Sequence, residues 1–445
     1  MKKRELIFFA ALATFLSANA QEKQTWSLED CINYALEKNI QLQQNKISLQ
    51  ESEVDVKTAK AALFPSLSFN TGHNIVNRPY QENSATVSGT EIISSNNKTT
   101  YNGSLSAQWT LWNGGQRLNN IKQQKKNQEI AELTVAETEN TLKEEITKLF
   151  LQILYADESV NINKGTLEVS KATYERAKEL FNQGSISKAD LAQLEAQVGN
   201  DQYQLVTSES SLRNYKLQLK QMLELDGNME MELELPVLDD EKVMQLLPNQ
   251  DEVYQTALAN RPEIQSSKLS IDNSKLAISA AKSGYYPSIS LSASTSSMTN
   301  NASQNNWAQQ MKYGWNNMIG LTVSVPIFNN RQTKSAVEKA QFQYNSSLLN
   351  LQDKQKGLYT EIETLWLDAL NAQQQYAAAE VKLKSSQTSF DMVSEQFRLG
   401  MKNTVELLTE KNNLLSAQQQ RVQAKYMAIL NRTLLDFYAG KDIEL

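Results

Sequence analysis

The residue types that most often carry enzyme chemistry are scarce in this chain. His73 is the only histidine and Cys31 the only cysteine among 445 residues. A zinc site of the usual kind needs several such ligands, and a serine-protease-type triad needs a histidine. The sequence also lacks a glycine-rich phosphate-binding loop. It therefore argues against an enzyme, a metal site or a cofactor, and we expect His73 to be a solvated side chain in a polar loop.

Two acidic residues show a matched spacing. Asp190 follows Gly184 by six residues, and Glu406 follows Gly400 by six residues. Each acid is also the fourth residue of a capping-box pattern, which opens a helix. A carboxylate in the first turn interacts favourably with the helix dipole, by about 0.3–1 kcal/mol. The spacing therefore predicts a glycine turn followed by a capped helix at both places.

A long helix is predicted ahead of each glycine. Residues 117–181 and 331–397 contain no proline, the residue that most reliably stops a helix. At roughly 1.5 Å per residue, each helix would be about 100 Å long. Apolar residues near the end of both segments recur every seven positions, which is typical of a coiled coil. The tips, residues 182–187 and 398–403, would then connect each long helix to a return helix.

These segments belong to an internal repeat. Gly184 aligns with Gly400 at an offset of 216 residues, and Pro65 aligns with Pro287 at an offset of 222 residues. Such self-similarity is the sequence signature of a duplicated architecture. We therefore predict one body built from two structural repeats. The first covers residues 21–248, including a connecting segment at 225–248, and the second covers residues 249–445.

Four short segments with alternating apolar and small polar residues predict β-strands. They lie at about residues 66–70, 104–112, 288–293 and 319–327. A half-buried soluble sheet or a barrel with lipid outside and water inside would produce this pattern. Strands of about nine residues suit a tilted membrane strand, and the polar segments 71–103 and 294–318 suit long external loops. The barrel interpretation places the following side chains in lipid: Leu105, Trp109, Leu111, Leu321, Val323 and Val325.

Aromatic residues near the strand ends favour the barrel, because such residues form belts at membrane interfaces. Packing inside a soluble core is the alternative for any one of them. The predicted belts contain Phe64, Trp112, Tyr285, Tyr286 and Phe328 at one side, and Tyr101 and Trp315 at the other.

The first twenty residues have the order of a secretory signal peptide. Basic residues from Lys2 to Arg4 precede an apolar core from Leu6 to Leu16, and Ala18-Asn19-Ala20 forms a small-residue cleavage site. A membrane anchor is the alternative, but an apolar core of eleven residues is too short to span a bilayer. The whole chain has net charge −6, and cleavage would remove three basic residues and one acidic residue, leaving −8 from Gln21 onward. That charge argues against nucleic acid as a partner.

The complete pattern resembles the TolC-like outer-membrane efflux proteins. The resemblance covers nearly the whole mature chain, with the order helix, strand, strand, long helix, tip, helix occurring twice. Its most specific features are the segments Phe181–Leu191 and Phe397–Leu407, which look like the family's periplasmic tips. The resemblance implies a mixed α and β fold. Long antiparallel α-helical coiled-coil hairpins would form a periplasmic tunnel, and four β-strands per chain would contribute to a shared trimeric transmembrane β-barrel.

The resemblance also implies partners and a location. The chain would be a homotrimer in the outer membrane with a large periplasmic part, working with a periplasmic adaptor protein and an inner-membrane pump. The open sheet edges agree with an assembly, because four strands cannot close a barrel and the smallest barrels use about eight. The residues implied in adaptor contact are Gly184, Ser185, Ile186, Ser187, Gly400, Met401, Lys402 and Asn403.

A gate is the other implied site. Asp190 and Glu406 match acidic residues at the family's tunnel constriction, and Lys188 and Lys402 lie close enough in sequence to pair with them. A ring of acids would favour cations. Thr409 stands where a further acid is expected. Helix capping alone remains the alternative role for both acids.

The implied function is passive export of small molecules or proteins from a pump–adaptor assembly to the exterior. One alternative is a secreted coiled-coil structural protein without transport activity. A second alternative is a periplasmic enzyme on a helical scaffold, which the missing catalytic residues disfavour.

Overall fold

The structure is a computed structural model. It describes residues 25–77, 97–226, 231–236, 240–301, 303 and 305–444. The predicted signal peptide, residues 1–20, lies outside these residues. The described chain divides into two compact units. The first unit comprises the described residues up to Lys46, Leu133–Gln265 and the described residues from Asp353 onward; the second comprises the described residues of Ile47–Glu132 and Ser266–Gln352.

Helices make up most of both repeats. The two longest, α3 (Gln116–Asn182) and α9 (Gln332–Arg398), have 67 residues each, and the return helices α4 (Lys188–Met222) and α10 (Thr404–Tyr438) have 35 each. The ends of both long helices lie within one residue of the bounds expected from the sequence. None of the described helices is long and apolar enough to cross a membrane. In chain order the helices are α1 (Leu28–Lys38), α2 (Ile40–Ala61), α3 (Gln116–Asn182), α4 (Lys188–Met222), α5 (Asp240–Val243), α6 (Gln250–Asn260), α7 (Pro262–Lys282), α8 (Trp307–Tyr313), α9 (Gln332–Arg398) and α10 (Thr404–Tyr438).

The core of the first unit forms where α1, α3 and α10 bury their apolar sides. Ile146, Phe150 and Ile153 of α3 are almost completely buried in it. Cys31 is also fully buried there, and burial raises the pKa of its thiol to about 12. Because the thiolate is the reactive form of cysteine, Cys31 is a packing residue and not a reactive one.

The connecting segment is attached to this unit at several places. A short strand at its start, β4 (Glu232–Leu233), pairs in parallel with β1 (Thr25–Trp26). Asp240, which opens α5, lies 2.6 Å from Arg421 and 2.7 Å from Lys425 of α10. Backbone pairing and ion pairs therefore hold the described parts of the connection against the helices.

The second unit contains one four-stranded sheet. Its strands are β2 (Ser66–Asn77), β3 (Asn97–Asn113), β5 (Ser288–Asn300) and β6 (Asn316–Ser324). They lie in the order β2–β3–β5–β6, and every neighbouring pair is antiparallel. Among the described residues, β2 and β6 are therefore the two edges of this sheet.

All four strands extend into segments that the sequence predicted to be loops. β2 continues to Asn77, β3 begins at Asn97, β5 continues to Asn300 and β6 begins at Asn316. Polar residues in these extensions obscure the apolar alternation, but threonine and tyrosine favour strands. The loop prediction for His73 is wrong, because His73 lies in β2 and its exposed ring stacks on Tyr101 with centroids 4.1 Å apart.

The two predicted external loops differ from each other. Residues 78–96, the middle of the first, lie outside the described residues. The second contains the seven-residue helix α8 between β5 and β6. Asn306 caps α8 by accepting a hydrogen bond from the backbone N–H of Gln309 at 2.9 Å, while the Gln309 side chain caps the N–H of Asn306.

The last strand ends earlier than predicted. It was expected at 319–327 and instead covers Asn316–Ser324. Pro326 has no backbone N–H to donate and restricts the residue before it, so it stops the ladder. Val325, predicted to lie in a lipid-facing strand, is therefore exposed beyond the end of β6.

Candidate functional site

One face of the sheet is apolar. Directly opposed residues of antiparallel strands point to the same face, so the register assembles side chains into rows. Apolar rows continue across the strands, and Leu321, in the middle of β6, is 64% exposed. The rows are Leu67, Ala107, Ala293 and Ile319; then Trp109, Leu291 and Leu321; then Trp112, Ile289 and Val323.

The opposite face carries small polar residues. The hydroxyl groups of Ser68 and Ser106 are 2.9 Å apart on neighbouring strands. An apolar face and a hydroxyl-rich face are the pattern of a sheet with hydrocarbon on one side and water on the other. The rows on this face are Ser68, Ser106, Ser294 and Met318, of which only Met318 is apolar; then Gln108, Ser292 and Gly320; then Thr110, Ser290 and Thr322.

Four of the six predicted lipid-facing residues lie in regular strand positions on the apolar face. Leu105, Trp109, Leu321 and Val323 lie on the apolar face, and all four are exposed. Leu111 sits at a β-bulge, where an extra residue enters β3. As a result, Trp112 and not Leu111 lies opposite Ile289 in the apolar row. Nothing in the sequence alternation signals this bulge.

All the aromatic residues predicted to form belts have exposed side chains. The indole N–H of Trp109 donates to the carbonyl oxygen of Leu63 at 2.7 Å, which satisfies its polar group while the ring stays on the surface. Large exposed rings near strand ends are typical of residues at a membrane–water interface. The exposed residues are Phe64, Tyr101, Trp112, Tyr285, Tyr286, Trp315 and Phe328.

The two tips of the first unit share one turn geometry. Gly184 and Gly400 both have φ +74°, a left-handed conformation that favours glycine. The backbone N–H of the residue after each glycine donates to the carbonyl oxygen five residues earlier. These bonds join Ser185 to Leu180 and Met401 to Gln396, each at 2.9 Å. These are the bonds of a Schellman motif. No atom lies within 4 Å of a Cβ built on either glycine, so the backbone conformation, not lack of space, requires glycine.

Both candidate gate acids are capping residues. Asp190 N–H donates to Ser187 Oγ at 3.1 Å, and Glu406 N–H donates to Asn403 Oδ1 at 2.9 Å. In both boxes the carboxylate accepts in return from the N–H of the capping residue. The predicted capping boxes are therefore confirmed, and a gating role stays a prediction.

The two carboxylates have different neighbours beyond their caps. Glu406 forms an ion pair with Lys402, and this contact is the main reason its pKa lies below the usual value. The pKa of Asp190 is lowered chiefly by a hydrogen bond from Ser187 and then by one from Thr404, which belongs to the other tip. Thr404 is the buried first residue of α10, so Asp190 of the first hairpin lies close to the second hairpin.

A small apolar cluster also joins the tips. Its buried members are Ala177, Leu194, Phe397 and Leu407. Ile186, one of the predicted adaptor-contact residues, is half-buried against this cluster. Lys402 is half-buried as well, whereas the other predicted contact residues are exposed: Gly184, Ser185, Ser187, Gly400, Met401 and Asn403.

Acidification is expected to loosen both tips. The ordinary pKa values are 3.8 for Asp190 and 4.5 for Glu406, and both are lowered in the fold. Their stabilising contribution is therefore present above the ordinary values and is lost as pH falls through the lowered ones. Hydrogen exchange of tip amides, corrected for intrinsic rates, should show less protection at pH 3 than at pH 7. The variant Asp190→Asn with Glu406→Gln should lack this difference; equal protection in the unmodified protein would contradict it.

A buried polar cluster lies farther from the turns and was not predicted. Lys411 of α10 forms an ion pair with Asp201 of α4, and both contact Ser170 of α3. Asp201 is 3% exposed and Lys411 6%. Burial lowers the pKa of Lys411, although Asp201 opposes that shift. The sequence did contain an indication of this burial. Lys411 lies between Leu407 and Leu414 at helical spacing, so it falls on the apolar seam of α10.

Comparison with known proteins identifies the family. The family model described as outer membrane efflux protein matches residues 31–224 and 253–441. Alkaline protease secretion protein AprF of Pseudomonas aeruginosa is 25% identical over 42% of this chain and 39% of its own length. Outer membrane protein TolC of Escherichia coli is 22% identical over 68% of this chain and 62% of its own length. The matches thus span less than two thirds of these two relatives.

The solved structures show the same fold. The Campylobacter jejuni CmeC outer membrane channel matches with a TM-score of 0.79 and 18% identity, over 94% of this chain and 87% of that chain. The predicted fold, with long helical hairpins, four strands per chain and an internal repeat, is thereby confirmed. The family is one of channel proteins and not of enzymes. With both repeats matched by its model, the chain belongs to the outer membrane efflux protein family.

Proposed function

We propose that this chain is the outer-membrane channel of a multi-component export system. It provides a passive conduit for small molecules or proteins and has no catalytic activity or cofactor of its own. The observation that carries the proposal is the two-faced sheet, with apolar rows on one side and rows of serine and threonine on the other. Family membership supports the same role. The proposed organisation is a signal peptide at residues 1–20 followed by repeats at 21–248 and 249–445.

The channel is a homotrimer in this proposal. β2 and β6 are the edges of the described sheet, and hydrocarbon does not tolerate unpaired backbone groups. Pairing β6 of one copy with β2 of the next is a head-to-tail contact that closes into a ring. Three copies would give a twelve-stranded barrel.

Helices next to the sheet edges support this ring. In the second unit, Ile47 and Val54 of α2 are exposed at heptad spacing, as are Phe342 and Leu349 of α9. Heptad positions of this kind pack against a neighbouring helix. Since α2 leads into one edge strand and α9 follows the other, a second copy would cover both stripes.

The partners are a periplasmic adaptor and an inner-membrane pump, which supply substrate choice and energy. The adaptor would contact the exposed turn residues, of which Met401 is 71% exposed. Exposed apolar side chains at a turn are suited to a partner surface.

Cysteines at Ser185 or Met401 are expected to cross-link to the adaptor in intact cells. Cys31 need not be replaced, because burial and its raised pKa keep it unreactive. Tyr203→Cys, at an exposed position of α4 away from the turn, is the matched control. Cross-links at position 203 with none at the tips would place the adaptor contact elsewhere.

The tips also form the gate in this proposal. Asp190 and Glu406 would place six carboxylates around one mouth in a trimer, with Lys402 paired to Glu406. Lys188 is the corresponding cation of the first tip, but the contacts that lower the pKa of Asp190 come from Ser187 and Thr404. The two tips would therefore open through different contacts.

Planar-bilayer conductance tests both the conduit and the gate. The purified protein should form cation-selective channels that divalent cations block, because a ring of acids concentrates cations. The variant Asp190→Asn with Glu406→Gln should show weaker cation selectivity and weaker inhibition by divalent cations. Glu209→Gln removes an exposed acid from the same helix as Asp190 and should change neither property. Unchanged selectivity in an intact trimer would make both acids helix caps only. Absence of conductance, and of a detergent-resistant trimer, would favour the secreted coiled-coil alternative.

A further inference from the structure

A pocket of about 390 Å³ lies on the apolar face of the sheet beside α8. Phe69, Tyr101 and Leu105 contribute its strand side. Trp307, Met311 and Trp315, from α8 and the residues after it, contribute the other wall. None of the described residues that line it carries a charge. Its volume lies in the usual range for pockets that bind small molecules or parts of them.

The helix wall is fixed to the sheet by hydrogen bonds. Ser297 Oγ donates to the carbonyl oxygen of Met311 at 2.8 Å, and the N–H of Asn300 donates to Gln310 Oε1 at 2.7 Å. Trp315 donates its indole N–H to Asn317 Oδ1 at 3.0 Å. The polar group of Trp315 is thus satisfied while its ring lines the pocket. These contacts give the pocket a defined wall on the α8 side.

The floor is open because Gly103 has no side chain. No atom lies within 4 Å of a Cβ built there, and its φ lies outside the left-handed region that favours glycine. Gly103 is therefore not required for the turn of the chain or for close packing. A larger residue at this position could enter the pocket without backbone strain.

We propose that this pocket holds one acyl chain of a membrane lipid. Phe69 and Leu105 are neighbours on the apolar face, so the pocket is continuous with the surface that faces hydrocarbon. The lining includes hydroxyl and amide side chains such as Thr71 and Asn102, but most of its surface is apolar and it carries no charge. It therefore suits a hydrocarbon chain, whereas a charged group would lose hydration without a compensating partner. Exposed Trp307 and Trp315 place at its rim the residue type found where hydrocarbon meets water. The assignment rests on the proposed function, which puts this face in the membrane.

Photolabelling of the purified trimer tests the assignment. The probe is a phosphatidylethanolamine with a diazirine in one acyl chain, and labelled residues are located by mass spectrometry. We expect labels on Trp307, Met311 or Trp315, and separately on Trp109 from lipid around the barrel. Gly103→Phe should lose the pocket labels and keep the label on Trp109. Leu321→Phe adds bulk to the same face outside the pocket and should keep both.

The outcomes separate the two proposals. Labelling of Trp109 without the pocket residues in the unmodified protein would overturn the acyl-chain site, including the case in which residues 78–96 fill the pocket. Unchanged pocket labels in Gly103→Phe would also overturn it. Labels at neither place would instead contradict the proposed function, because that result would show that this face of the sheet does not lie in the membrane. If Gly103→Phe does not assemble, Trp307→Ala removes an exposed wall and should lose the labels on Met311 and Trp315.

Discussion

Leu321→Arg is expected to prevent most of the protein from assembling in the outer membrane. Leu321 lies at the middle of β6, in one row with Trp109 and Leu291, and its side chain is exposed. Arginine on the lipid face near the bilayer midplane costs about 2–4 kcal/mol, and each copy in a trimer would bear that cost. The measurement is the fraction of detergent-resistant trimer in outer-membrane fractions.

The next residue provides the control. Thr322 lies opposite Ser290 on the polar face, so Thr322→Arg should face water and assemble normally. Val323 returns to the apolar face but lies one residue from the end of β6. Because the cost falls to about 0–1 kcal/mol near the interface, Val323→Arg should be milder than Leu321→Arg. Normal assembly of Leu321→Arg, or a worse defect in Thr322→Arg, would contradict the membrane assignment of this face.

Lys411→Met is expected to destabilise the helical hairpins by about 3–5 kcal/mol, because removing one partner of a buried ion pair leaves the other charge uncompensated. Asp201 would remain 3% exposed beside an apolar side chain. The midpoint of denaturant-induced loss of helical circular dichroism measures the effect. Asp201→Leu should behave similarly, and the double variant should recover most of the loss because an apolar pair needs no compensating charge.

The ion pair at the surface of the second tip is the comparison. Lys402→Ala removes the partner of Glu406, and ion pairs that are open to solvent contribute little to stability. Its midpoint should therefore stay close to that of the unmodified protein. If Lys411→Met shifts the midpoint no more than Lys402→Ala does, the buried pair does not stabilise the hairpins.

The helical part of the fold could be predicted from the sequence because the residues that begin and end each helix lie close together in the chain. The absence of proline allowed two long helices, and Gly184 and Gly400 marked their ends through a backbone conformation that other residues rarely adopt. The capping boxes at Ser187 and Asn403 depend on side chains three residues apart. Each of these features is complete within a few neighbouring residues.

The parts that were missed depend on distant residues. Thr99 and Tyr101 belong to a strand because partners on β2 and β5 continue the ladder, although their segment has no apolar alternation. The bulge at Leu111 is defined by its register against β5. The hydrogen bond between Thr404 and Asp190 joins residues from different repeats. Spacing within one segment cannot specify such contacts.

The buried ion pair also distinguishes the two halves of a duplicated chain. At the repeat offset of 216 residues, the counterparts of Asp201 and Lys411 are Ala417 and Glu195. Hairpins of equal length and similar seams could exchange partners during folding, within one chain or between copies. An exchange that separated Lys411 from Asp201 would leave Lys411 facing Ala417 and Asp201 facing the second carboxylate of Glu195, and both arrangements are strongly unfavourable for buried charges. This single ion pair between unlike residues therefore distinguishes one hairpin from the other. Correct pairing of the two halves depends on charge as well as on shape.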